Sequence, residues 1–137
     1  MAMNATTPLD LFDSVIQLRE GGTIDARPRR GLGDPGLWTV TAFHAADDRA
    51  VHADVWEQHP DGQEVLCLLS GIVHVHLRDH DSGSEPVATL TAGTSYIVPA
   101  GRWHRLTVEE PGDLLVITPR TNTRHERMQP ADETRQP

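Results

Sequence analysis

Histidine and glutamate side chains recur at the ends of three apolar stretches of this sequence. His59 and Glu64 lie in VWEQHPDGQEVLCLLSG, Glu57 precedes His59 by two positions, and His104 opens a later apolar stretch. Residues two apart on a strand point to the same side, so Glu57 and His59 would share a face. An ionised carboxylate on an apolar face is costly unless it is paired, hydrogen-bonded or bound to a cation. The pattern therefore predicts a metal site.

The inward face of each stretch continues as apolar side chains below the ionisable group. In steps of two, Leu66 and Leu68 follow Glu64, Leu106 and Val108 follow His104, and Val55 and Ala53 precede Glu57. Such alternation is typical of a half-buried strand. The ionisable groups should therefore meet at one mouth of an apolar interior.

Two imidazoles with one or two carboxylates suit the divalent ions of Fe, Mn, Zn or Ni better than Ca or Mg. Two histidines with one carboxylate are also the ligand set of non-haem iron oxygenases. The role of Glu57 stays open between two interpretations. It is a metal ligand itself, or it lies outside the ligand set and orients a ligand or acts as a general base.

Composition limits the classes of function. A chain of 137 residues has the size of one domain. Its net charge of -8 disfavours nucleic acid and anionic membrane surfaces as partners. There is no apolar stretch of the roughly 18 residues needed to span a bilayer and no signal peptide pattern, so we expect a soluble, cytoplasmic protein. A single cysteine excludes an internal disulfide.

Eight short apolar stretches separated by turn formers predict an all-β sandwich or barrel. The predicted strands are 37–44, 50–59, 64–69, 72–77, 87–90, 95–99, 104–109 and 113–118. Residues 11–18 carry helix start and stop signals, which favour one short N-terminal helix over a strand.

The sequence divides into three regions. Residues 1–36 are predicted to be an N-terminal arm, in which 25–36 form a loop, and residues 37–119 the folded domain. Residues 120–137 have too few apolar side chains to fold alone. We expect this C-terminal tail to be disordered past about Arg127. His125 in the tail could fold over the barrel mouth, but a solvated histidine is the default.

The sequence resembles a small single-domain cupin, because it carries versions of both cupin sequence motifs. The first cupin motif reads G, five residues, HxH, three or four residues, E, six residues, G. His59, the residues PDGQ, Glu64, the residues VLCLLS and Gly71 match it, whereas Val51 replaces the first glycine and Glu57 the first histidine.

The second cupin motif reads G, five residues, PxG, two residues, H, three residues, N. Gly93, Pro99, Gly101 and His104 match it at the proper spacing, and Val108 replaces the asparagine. Two motifs in order and at the proper separation are a more specific signal than either one alone.

The resemblance spans residues 37–118 and implies a double-stranded β-helix, or jelly roll, with the metal in the barrel mouth and a homodimer outside. It makes His59, Glu64 and His104 the expected ligands, with Glu57 as the possible fourth. Glu57 and Tyr96, which lies beside the second motif, are the candidate catalytic residues.

For function, the resemblance implies a metal-binding protein that acts on a small organic molecule in its barrel pocket. Oxygenase, isomerase and lyase chemistries all fit, and a fold alone does not choose among them. The alternative is a non-catalytic protein that binds or senses a small molecule in the same pocket.

Overall fold

The protein is a sandwich of two antiparallel β-sheets in a computed structural model that describes residues 7–29, 34, 37–78 and 86–129. The strands are β1 (Ser14–Leu18), β2 (Ile24–Pro28), β3 (Trp38–Ala45), β4 (Val55–Gln58), β5 (Glu64–Leu68), β6 (Ile72–Leu77), β7 (Ala88–Thr91), β8 (Thr94–Val98), β9 (His104–Glu110), β10 (Gly112–Pro119) and β11 (Arg124–Arg127).

One sheet has six strands in the order β2-β1-β3-β10-β5-β8, and the other has five in the order β11-β4-β9-β6-β7. Consecutive strands β4 and β5 lie in different sheets, so the chain crosses between sheets at residues 59–63. The all-β, jelly-roll prediction is confirmed.

The core lies between the inner faces of the two sheets. On β5, Leu66 and Leu68 are buried while Val65 and Cys67 are only half-buried, as the period of two requires. The buried cluster consists of Ala45, Leu66, Leu68, Val73, Val75, Leu90, Val98, Leu106 and Leu114. This apolar filling supports the site at the mouth from below.

The predicted strand 50–59 is shorter than expected. Only Val55–Gln58 is extended, because the chain before it folds into turns in which the Asp47 side chain accepts a hydrogen bond from the backbone N–H of Ala50.

The predicted helix over 11–18 is wrong. A three-residue 3₁₀ helix, Leu11–Asp13, begins at Asp10, whose side chain accepts from the Phe12 backbone N–H. The chain then enters β1, which pairs with both β2 and β3. Two sheet neighbours satisfy the backbone of this segment, and pairing across the sheet outweighs its local helix signals.

The predicted loop over 25–36 is also wrong in part, because Ile24–Pro28 forms β2. Ion pairs fix this hairpin. Arg19 contacts Asp25 at 2.6 Å, and Arg27 contacts Asp34 at 2.6 Å.

Residues 124–127 of the tail form β11, which pairs with β4. Two ion pairs accompany this strand: Arg127 contacts Asp54 at 3.1 Å and Glu126 contacts Arg78 at 2.7 Å. The disorder predicted past Arg127 falls largely on residues 130–137, which lie outside the described residues. Within the described ranges, no helix is long and apolar enough to cross a membrane.

Candidate metal centre

Three strands and one turn position the four predicted ligands. Glu57 on β4 and His104 on β9 are direct partners across the five-stranded sheet. His59 follows the end of β4, and Glu64 begins β5 in the other sheet. The crossing at 59–63 therefore brings the two sheets' ionisable groups to one end of the barrel.

The Nε2 atom of each histidine in the group faces two carboxylates. Nε2 of His59 lies 3.0 Å from Oε1 of Glu57 and 3.1 Å from Oε2 of Glu64. Nε2 of His104 lies 2.9 Å from Oε1 of Glu64 and 3.7 Å from Oε1 of Glu57. The structure thus brings all four predicted ligands together.

Burial distinguishes one of the four residues from the others. The side chains of His59 and Glu64 are each 5% exposed, and that of His104 is 3% exposed. The Glu57 side chain is 35% exposed. Glu57 is therefore the most exposed member of the group.

Second hydrogen bonds orient both imidazole rings. Nδ1 of His104 donates to the backbone carbonyl of Arg102 at 3.1 Å, and Nδ1 of His59 lies 3.0 Å from Oγ1 of Thr123. A carbonyl can only accept, so the proton of the neutral His104 ring stays on Nδ1. Its Nε2 lone pair then faces the carboxylates, as a metal-binding imidazole requires.

The turn of the second motif is joined to the end of β4. Gly101 has a φ of +77°, a left-handed conformation that glycine adopts without strain. Its N–H donates to the carbonyl of His59 at 3.0 Å, and its carbonyl accepts from Nε2 of Gln58 at 2.9 Å. This turn fixes the start of β9 and hence His104.

The two carboxylates are held in the charged form. Burial by itself disfavours the charge on Glu57 and Glu64, but hydrogen bonds from His104 and His59 outweigh it. The pKa of each carboxyl group therefore lies below its usual value.

The two imidazoles shift in the opposite direction. Burial favours neutral rings, but hydrogen bonds to Glu57 and Glu64 outweigh it and raise the pKa of His59 to about 9 and that of His104 to about 10. Without a metal, two imidazolium ions thus neutralise two carboxylates. A divalent cation would supply the same two positive charges.

The donor set fits a transition metal. One ligand atom from each of Glu57, His59, Glu64 and His104 lies within 4.8 Å of every other. Ligand atoms about 2.0–2.2 Å from a common ion lie at comparable separations. Two nitrogens and two oxygens are donors that Fe, Mn, Zn and Ni accept.

Tyr96 lies outside this group. It is the partner of Leu66 across β8 and β5 and packs half-buried against the apolar core. It does not belong to the group of potential metal ligands among the described residues. Its catalytic role stays a prediction.

The sequence did not single out Thr123, which lies just before β11, and left His125 on β11 as a solvated tail histidine by default. Nε2 of His125 is 2.9 Å from Oε2 of Glu57, its direct partner across the sheet. Thr123 contacts His59 as described above. The spacing of two between Thr123 and His125 was the available signal, but it points to the site only once β11 is known to pair with β4.

An open-mouthed cavity of about 690 Å³ adjoins the four residues. Its walls are largely apolar and include Phe43, Val51, Val55, Leu106, Leu114 and Val116. An apolar cavity with a few convergent polar groups is typical of a small-molecule site.

Comparison with solved structures shows the same fold in other proteins. A cupin 2 domain-containing protein from Halorhodospira halophila is 19% identical, with 88% of this chain and 84% of that chain covered and a TM-score of 0.52. A protein with a double-stranded β-helix domain from Klebsiella pneumoniae is 22% identical, with coverage of 74% and 84% and a TM-score of 0.50. At these identities the likeness shows the fold alone.

A search of curated proteins finds no match. The family model described as "Cupin domain" matches residues 50–118, just over half of the chain, and this match includes the four clustered residues. The chain belongs to the cupin family.

Proposed function

We propose that this cupin binds a divalent transition metal through Glu57, His59, Glu64 and His104 and takes a small organic molecule into the adjoining cavity. One observation carries the proposal: four potential ligand atoms converge within 4.8 Å at the wall of that cavity. The donor set favours Fe, Mn, Zn or Ni.

A carboxylate at position 57 changes the expected properties of the ion. Compared with a neutral imidazole, it lowers the net charge of the complex by one. A less positive complex favours a harder cation and makes the bound ion a weaker Lewis acid.

We further propose that the protein is an enzyme of the oxygenase, isomerase or lyase type. A bound metal ion would polarise an oxygen of the organic molecule. Glu57 would then take or return a proton, because its carboxylate is charged, hydrogen-bonded to His125 and the most exposed of the four.

The alternative is a protein that binds or senses the small molecule without converting it. The convergence of four protein donors favours this alternative, because fewer coordination positions then stay open to a substrate than with three. Turnover lost in Glu57→Ala while metal stays bound would favour the enzyme. Unchanged ligand binding without turnover would favour the binding protein.

Metal content tests the proposal directly. We expect near-stoichiometric metal per chain in the wild type, purified without a metal-affinity tag, and a large loss in His104→Ala and Glu57→Ala, because each variant removes one of four ligands. Plasma mass spectrometry measures the metal, and Tyr96→Phe is the control.

A wild type that stays free of metal after reconstitution with each of the four ions would contradict the metal site. Metal retained in Glu57→Ala but lost in His104→Ala would assign Glu57 a role outside the ligand set.

The pH dependence of stability tests the charges of the metal-free site. The imidazoles have raised pKa values. Their contribution to the stability of the fold is therefore complete below pH 6.5 and is lost as the pH rises through about 9 to 10. The carboxylates have lowered pKa values. Their contribution to stability is therefore complete above pH 4.5 and is lost as the pH falls.

We therefore expect calorimetry of the metal-free protein to give the highest thermal midpoint between about pH 4.5 and 6.5 and a decline toward pH 10. The double variant His59→Gln/His104→Gln should lack this decline. A wild-type midpoint that stays level over the alkaline range would show that the folded imidazoles are not charged.

His125 should strengthen metal binding through Glu57. It holds Oε2 of Glu57 while Oε1 faces His59, so removing its imidazole frees the carboxylate to rotate. We expect His125→Ala to weaken Zn²⁺ binding roughly 10–100-fold, as for other groups that orient a ligand. His125→Gln, which keeps an N–H donor, should recover part of the loss.

A double-mutant cycle on Zn²⁺ affinity, measured by chelator competition, checks this coupling. In the Glu57→Ala background, His125→Ala should cause little further loss. Arg124→Ala, its exposed neighbour on β11, is the matched control. Additive losses at 57 and 125 would contradict the coupling.

We also propose a homodimer formed by the outer face of the six-stranded sheet. An apolar row runs across this face in register through Ile97, Val65, Ile117, Val40 and Ile16. Ile97 is 56% exposed, and Leu69 on the same side of the sheet is 49% exposed. A continuous apolar face of this kind marks a protein interface, and a second copy presents the same face.

Ile97→Glu tests the dimer, because a charge at this position would be buried against the second copy. We expect light scattering after size exclusion to give a dimer for the wild type and a monomer for Ile97→Glu. Thr91→Glu, on the other sheet, should leave the dimer intact. A wild-type monomer at micromolar concentration would refute this interface.

A further inference from the structure

Arginines are concentrated in the cavity of an otherwise acidic protein. The chain carries a net charge of -8, yet the cavity is lined by Arg29, Arg105 and Arg120 against two acids, Glu57 and Glu64. The two carboxylates already have partners, because they lie within hydrogen-bond distance of His59 and His104. The charges of the arginines would then set the potential of the cavity.

Arg29 reaches the cavity beside an aromatic wall. Its Nη1 donates to the backbone carbonyl of Ala42, and its guanidinium lies 5.9 Å from the centre of the Phe43 ring. Both partners are uncharged. Four N–H donors of this guanidinium besides the one used on Ala42 stay potential donors to a ligand.

Arg120 approaches the cavity from the end of β10. Its backbone N–H donates to the carbonyl of Leu37, which fixes the chain. Its side-chain Nε is buried and has no hydrogen-bond partner among the described residues. A buried donor of this kind is costly unless a ligand or water satisfies it.

Four arginines outside the cavity are paired with acids. Arg19 contacts Asp25, Arg27 contacts Asp34, Arg78 contacts Glu126, and Arg127 contacts Asp54. Across the part of the chain that the structure describes, neither Arg29 nor Arg120 has an ion pair. Arg29 and Arg120 therefore keep their charge available.

We propose that the cavity selects a small organic anion, a carboxylate or its like, whose charged group is held by Arg29 and Arg120. The apolar walls formed by Phe43, Leu106 and Val116 favour an organic body over a bare inorganic ion. Planar guanidinium groups bind carboxylates through paired N–H donors. The inference rests on the proposed function only in taking this cavity as the ligand site.

Two dyes that differ in one charged group test the selection. Anilinonaphthalene sulfonate is an organic anion, and phenyl naphthylamine is the same skeleton without the sulfonate. We expect fluorescence titration to show tighter binding of the anion. Arg29→Gln and Arg120→Gln should each weaken anion binding at least tenfold, with neutral-dye binding unchanged, because a charge-assisted hydrogen bond is lost.

Matched variants separate charge from folding. Arg120→Lys should retain part of the preference for the anion, and Arg124→Gln, an exposed change on β11, should retain all of it. Equal affinity for the two dyes, or an unchanged preference in both glutamine variants, would overturn the inference.

The titrations are carried out on the metal-free and the metal-loaded protein. Anion selectivity in a protein that binds no metal would support this inference while the proposed metal site fails. Stoichiometric metal without selectivity would give the reverse outcome.

Discussion

The buried carboxylate of Glu64 is the constraint on which the rest of the site depends. Its side chain is 5% exposed at the end of an apolar strand, where an uncompensated charge is not tolerated. His59 and His104 supply the compensation, and each needs a backbone or hydroxyl partner to keep Nε2 directed inward. The turn at Gly101 serves the same purpose, because it ties the start of β9 to the end of β4. The motif glycine, the two histidines and the glutamate thus act as one unit.

The five-stranded sheet arranges the site by cross-strand register. His125, Glu57 and His104 are consecutive partners on β11, β4 and β9. A row of side chains on one face of neighbouring strands has its Cβ atoms about 5 Å apart, close enough for contact. The hydrogen bond of Glu57 with His125 and its approach to His104 follow from this register. The carboxylate of Glu57 presents Oε1 to the cluster and Oε2 to His125 on the tail strand.

Most of the fold and the four clustered residues could be predicted from the sequence, because both depend on period-two alternation and on motif spacing. Eight predicted strands contain or overlap β3 to β10. The strands β1, β2 and β11 were missed for different reasons. β1 and β2 form a local hairpin whose contacts include the polar pair of Arg19 and Asp25, whereas β11 pairs with β4, which lies far away in the sequence. Residues 11–18 show this conflict, since local start and stop signals indicate a helix while β3 provides an open edge. The contact of His125 with Glu57 could not be derived from the sequence, because it depends entirely on where β11 pairs.

The contact between Glu57 and His125 gives the tail strand an energetic connection to the candidate metal site. Contacts that β11 makes elsewhere, such as those of Arg127 with Asp54 and of Glu126 with Arg78, lie on exposed or partly exposed side chains and each contribute little. A metal bound through Oε1 would fix the Glu57 carboxylate and so hold Oε2 in place for His125. By linkage, a contact that stabilises the inward orientation of Glu57 would also stabilise the pairing of β11 with β4. The paired β11 would in turn stabilise a bound metal. Glu57 stands where the first cupin motif has a histidine. Through its contact with His125, it connects β11, which lies outside the motif, to the candidate metal site.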